Sequence, residues 1–235
     1  MSSTNEPEGR AALLRRIDSD AALSAIRDVV IRAGGDASHD LDHALRVAVW
    51  TLRLGGDGVE TREAIAAALL HDLDSGPKDA ADAADASVRS AERAREILDR
   101  LGFSSEAVSR IADAIRDHSY SRGAVPASLL GRALQDADRL EALGAVGILR
   151  TVAVGVGLGA ELFDAADPWA RNRTRDDRRF TLDHFFTKLL QLAETLSTEA
   201  GRREARGRTA AMEDFLKQLG EEIGEPYERP AGGSG

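Results

Sequence analysis

No cysteine occurs among the 235 residues, so disulfide cross-links and thiolate metal sites are excluded from the outset. Aromatic residues are scarce at 4%, and the abundance of alanine, leucine and long charged side chains favours helix over sheet. No uninterrupted stretch approaches the roughly 20 apolar residues that a membrane-crossing helix requires. The opening "MSSTNEPEGR" lacks a basic region followed by an apolar core, so no secretion signal is expected and a cytoplasmic address is the expectation. Positive charge is in deficit as well. Thirty-one Lys and Arg against 40 Asp and Glu give a formal charge of −9, which argues against a general nucleic-acid binder. One basic pocket on an acidic body remains compatible with a nucleotide.

Hydrophobic periodicity predicts about eight helical segments and no convincing strand, hence an all-α helical bundle. The stretches 20–33 and 40–56 each carry an apolar stripe and end at a double glycine; 61–75 opens with Thr61 as the expected N-cap and stops near Gly76-Pro77. Alanine-rich 78–87 reads as a surface connection, followed by helices at 87–101 and 104–118. A helical tract from Leu129 contains Gly144, Gly147, Gly155, Gly157 and Gly159, which either allow close packing or split it in two. Polar 163–179, with five arginines, reads as a loop that Trp169 either anchors or leaves for stacking on a base. Helices at 181–198 and 199–222 follow. The expected organisation is an N-terminal segment 1–19, helical in part, one domain over 20–222, and a flexible tail 223–235.

The chemistry lies in the histidines. There are five: His39, His43, His71, His118 and His184. His43 follows His39-Asp40 at the start of one helix, His71-Asp72 ends the next, and His118 ends another. Adjacent helical residues point roughly 100° apart, so His71 and Asp72 share an ion only if it lies between them, with His43 and an aspartate from 136–138 supplied by other helices. Two imidazoles and two carboxylates without sulfur suit Mn²⁺, Mg²⁺, Co²⁺, Fe²⁺ or Zn²⁺. An ion so held lowers the pKa of water and neutralises charge on a phosphoryl group. The plain alternative is a helix-end histidine beside a surface acid.

The order His43, His71-Asp72 and "QDADRLEALGAVGILR" resembles the H…HD…D signature of the HD-domain phosphohydrolase superfamily. "SHDLDHALRVAVWTLRL", "AAALLHDLDS", "IADAIRDHSYSRG" and "FFTKLLQLAETLSTEAGRREARGRTAAMEDFL" extend the likeness, over roughly residues 20–220, to a bacterial subgroup of small single-domain members. The resemblance implies one divalent metal ion, Mn²⁺ first among the candidates, held by His43, His71, Asp72 and Asp138, with Asp136 in reserve. It implies hydrolysis of phosphate esters or anhydrides, nucleotides being the usual substrates. Asp72 and His118 are the expected catalytic groups; His39 and Asp40 are expected to cap or support the ligands. Arg46, Lys78, Arg122 and Arg139 are candidate cations for phosphate, while Asp74 and Lys78 lie in an alanine-rich stretch that departs from the family pattern. His184 is expected to pack or cap. Two other readings are a non-catalytic nucleotide-sensing or protein-interaction module, which should have lost ligands, and a di-iron oxygenase, which needs more histidines between the doublet and the last aspartate than His118 alone. A small-molecule phosphate is the expected partner, without nucleic acid or membrane; the glycine-bearing tract at 144–159 is compatible with a homodimer.

Overall fold

The computed structural model of the protein describes residues 9–34, 40–74, 85–119 and 122–228. Among these the fold is all-α. Its helices are α1 (Arg10–Ser19), α2 (Ala21–Ala33), α3 (Leu41–Gly55), α4 (Thr61–Leu70), α5 (Ala86–Arg100), α6 (Ser105–Asp117), α7 (Leu129–Leu140), α8 (Gly144–Gly157), α9 (Asp183–Thr187) and α10 (Glu199–Ile223). The sole extended pairing among the described residues is an isolated bridge between Glu161 and Phe180. No single helix among them is long and apolar enough to cross a membrane. Within the span expected as one domain the chain divides into two compact units, Met1–Glu141 with Leu196–Gly201, and Ala142–Thr195 with Arg202–Gly235.

In the first unit α4 is the centre. Every residue from Glu63 to Leu70 is buried, as a helix that is apolar on all sides demands. Helices α2, α3 and α6 pack on it, and α7 packs on α3 and α6. Two local expectations change. The N-cap of α4 is Glu60, not Thr61: its carboxylate accepts from the backbone N–H groups of Arg62 and Glu63 at 3.1 and 2.7 Å. The helix also stops at Leu70 instead of 75; there the His71 Nδ1–H donates to the Ala68 carbonyl at 2.7 Å, satisfying one of the acceptors a helix end exposes.

The tract from Leu129 does split. Gly144 opens α8 with φ +70°, a left-handed conformation that glycine adopts without a Cβ penalty. Asp136 of α7 is fully buried and receives the backbone N–H groups of Ser197 and Thr198 at 2.8 and 2.7 Å, and the Thr198 hydroxyl at 2.7 Å. Thr198 in turn caps α10 by accepting from Gly201 N–H at 3.0 Å. A Cβ at Gly201 would stand 2.6 Å from an Asp136 oxygen, so glycine there is what lets the carboxylate reach the helix start.

The second unit contains α8, α9 and the loop between them. Much of that loop is exposed, but particular side chains fasten it. Buried Asp183 pairs with Arg173 through both guanidinium Nη atoms, at 2.5 and 2.8 Å, and accepts the Asp176 N–H at 2.7 Å. Arg175 lies over the Phe186 ring. Trp169 anchors the loop, packing on Phe186 and Tyr227 and donating Nε1–H to the Glu225 carbonyl at 2.8 Å; Tyr227 of the expected tail thus has ring partners, and 229–235 lie outside the described residues. Where one helix was expected over 181–198, α9 ends at Thr187 and a 3₁₀ turn follows over Leu189–Thr195. Its threefold period aligns Leu189 and Leu192, both buried, on one edge.

Candidate metal centre

Three helix ends of the first unit converge. His43 lies in the first turn of α3, whose N-cap is Asp40, accepting the His43 N–H at 2.8 Å. His71 and Asp72 follow the last residue of α4, and His118 follows α6. All three imidazoles are buried and turn Nε2 toward one point. His43 Nε2 lies 3.2 Å from His71 Nε2, 3.5 Å from Asp138 Oδ1 and 3.8 Å from Asp72 Oδ2. His71 Nε2 lies 3.4 Å from Asp72 Oδ2 and 3.9 Å from Asp138 Oδ1. His118 Nε2 stands 3.6 Å from the other oxygen of Asp72, Oδ1.

Hydrogen bonds on the far side of each ring fix which nitrogen carries the proton. His71 Nδ1 and His118 Nδ1 face the carbonyls of Ala68 and Ile115 at 2.7 and 2.6 Å. His43 Nδ1 faces Glu141 Oε2 at 3.2 Å. Carbonyls and carboxylates only accept, so each Nδ1 donates and each neutral ring bears its lone pair on Nε2. Two lone pairs then face each other across 3.2 Å between His43 and His71, an arrangement that a shared cation stabilises. Donor separations across the coordination sphere of a first-row divalent ion run about 3.0–3.4 Å, close to the spacings found. His43, His71 and Asp138 form one group able to hold an ion; His71, Asp72 and His118 form a second. The residues fit a divalent metal.

Electrostatics agree with the geometry. Burial pulls the His71 pKa down to about 4, against the attraction of Asp72. Burial lowers His118 too, but the hydrogen bond and charge of Asp72 outweigh it and raise that pKa. Burial disfavours ionised Asp138, yet His71 and His43 bring its pKa below the ordinary value. The ring of His71 thus has no proton to expel near neutrality.

One pH effect follows. A histidine titrating at about 4 when folded and about 6.5 when unfolded binds fewer protons in the native state between those values. Its stabilising contribution is complete above the unfolded pKa and is lost as pH falls toward the folded one. Denaturant titrations of metal-free wild type and His71→Asn should diverge accordingly, with the wild type losing about 3 kcal/mol more between pH 7 and pH 4. Parallel pH dependences in the two proteins would refute the burial assigned to this ring.

Residues 40–143 match the family model of the HD domain. This stretch is an HD domain. All the residues of the cluster lie inside it. The uncharacterized protein YpgQ of Bacillus subtilis is 34% identical over 135 residues, which are 54% of this chain and 60% of that relative's length. A solved structure of YpgQ in complex with ADP is 28% identical and superposes with a TM-score of 0.66, over 89% of this chain and 96% of that one. An HD-superfamily hydrolase of Bacillus thuringiensis is 27% identical, with a TM-score of 0.65 over 90% and 98% of the two chains.

Other expected site residues of the HD domain are distributed unevenly. Asp136, the reserve ligand, faces the 197–198 segment and lies outside both ligand groups. Arg46, expected to face phosphate, donates through Nε to Glu141 Oε2 at 2.8 Å. Asp74 stands 3.7 Å from Arg89 and donates its backbone N–H to the Ser90 hydroxyl oxygen at 3.0 Å. Arg122 is exposed, and Arg139 is half-buried in the last turn of α7. His39 and Lys78 lie outside the described residues. In the second unit His184 pairs with Asp177 at 3.0 Å. The residue that sequence reasoning missed is Glu141, buried and bonded to His43. Its signal was faint: a carboxylate three positions beyond Asp138, hence on the same side of the chain.

Proposed function

We propose that this protein is a divalent-metal-dependent phosphohydrolase whose substrates are nucleotides. The observation that carries the reading is the closure of His43, His71, Asp72 and Asp138 to donor spacings of 3.2–3.9 Å. The ADP complex of YpgQ supports a nucleotide ligand, and the Bacillus thuringiensis hydrolase supports hydrolysis.

His43, His71, Asp72 and Asp138 would hold the ion, which supplies charge neutralisation at a phosphoryl oxygen and acidifies water. Asp72 is the proton acceptor: Oδ2 faces the histidine pair and Oδ1 faces His118. His118 is anchored at Nδ1 and presents Nε2 beside Asp72 Oδ1, where its raised pKa suits it to hold a proton for the departing oxygen. Lys78, Arg122 and Arg139 are the cations offered to phosphate.

A panel of nucleoside mono-, di- and triphosphates with Mn²⁺ or Mg²⁺ tests the proposal. Metal-dependent release of phosphate or pyrophosphate from at least one class is the expected result. Nucleotide binding without release across the whole panel would sink the hydrolase and leave a binding module.

A further inference from the structure

The three imidazoles are gripped at Nδ1 by different kinds of acceptor, and helix polarity explains the difference. His71 and His118 follow the C-terminal ends of α4 and α6, where a helix exposes carbonyl acceptors. Each uses the carbonyl three residues back. His43 sits in the first turn of α3, where a helix exposes N–H donors. The carbonyl three residues before it, that of Asp40, already accepts the Ala44 N–H at 3.2 Å. An acceptor must therefore come from elsewhere in the chain, and Glu141 supplies it. Its Oε2 receives His43 Nδ1 at 3.2 Å and Arg46 Nε at 2.8 Å, and its side chain is 3% exposed.

We propose that Glu141, steadied by Arg46, is the positioning residue that fixes His43 as the Nδ1–H tautomer and aims its Nε2 lone pair at His71, Asp72 and Asp138. The inference rests on the metal-site reading. Arg46 serves the site through this carboxylate. Without Oε2 the opposite tautomer becomes accessible to His43, and its Nε2–H points into the ion's place. His71 and His118 keep their tautomers, because no side-chain substitution removes a backbone carbonyl.

The test compares wild type, Glu141→Leu and Glu141→Gln. Metal-free samples are examined by imidazole ¹⁵N NMR at pH 8, and Mn²⁺ affinity by calorimetry. In Glu141→Leu, His43 should populate the Nε2–H tautomer while His71 and His118 stay Nδ1–H, and Mn²⁺ affinity should fall about 10–100-fold. Glu141→Gln should keep the tautomer and stay within about tenfold of wild type, since Arg46 Nε can only donate and thus turns the amide oxygen toward His43. An unchanged His43 signal together with wild-type affinity in Glu141→Leu would overturn the proposal. Should that variant not fold, Arg46→Met added to Glu141→Gln releases the amide orientation and should mix the His43 tautomers; identical spectra for the single and double variants would count equally against it. Absence of Mn²⁺ uptake by wild type defeats the metal reading, whereas uptake that Glu141→Leu matches defeats this inference.

Discussion

Alanine in place of His71 or Asp138 should yield a protein that retains no stoichiometric metal and releases phosphate on the order of 10³-fold more slowly than wild type, several kcal/mol of barrier at one decade per 1.4 kcal/mol. Each substitution removes one edge of the cluster. Without His71, His43 Nε2 loses its partner at 3.2 Å; without Asp138, both imidazoles lose a carboxylate at 3.5 and 3.9 Å. The remaining donors come from the ends of different helices. Elemental analysis after extensive dialysis gives the metal content, and a phosphate-release assay on the same samples gives the rate. One equivalent of metal retained by both variants would remove the site from this place.

Alanine two positions earlier, at Asp136, should behave in the opposite way. The protein should lose about 2–4 kcal/mol of stability, because two buried donors and one half-buried donor lose this acceptor, and its melting temperature should drop by roughly 5–12 °C. The donors are the Ser197 and Thr198 N–H groups and the Thr198 hydroxyl, so the damage falls on the start of α10. Metal content measured well below the transition should match wild type. Thermal melts and metal analysis of Asp136→Ala decide the matter: an unshifted melt, or metal loss from a folded protein, would contradict the division of labour between the two aspartates.

That division shows what the sequence could and could not reveal. Residues 136 and 138 differ by about 200° around a helix, so they face nearly opposite ways, and periodicity alone does not say which way the cluster lies. The H…HD…D pattern pointed to 138, whose Oδ1 lies 3.5 Å from His43 Nε2. The helix ends were legible because apolar stripes stop where His71 and His118 stand. Glu141 was not legible, since its partner His43 is 98 positions away and a carboxylate near a helix end has ordinary local uses. The anchorage of the arginine loop was hidden in a similar manner. A run of charge reads as solvated chain, and only the fold reveals Asp183 buried against Arg173. The break after Thr187 escaped notice because an apolar run serves an α-helix and a 3₁₀ turn alike.

The two carbonyl-tethered imidazoles carry a further consequence. Their location is set by how many residues α4 and α6 contain before they stop, with the ring locked three positions back along its own helix. The chain beyond Asp72 and beyond His118 is thereby released from aiming these two rings. Length changes made in those connections should leave both rings on their carbonyls. A single residue added inside α4, by contrast, swings the doublet about a quarter turn away from its partners.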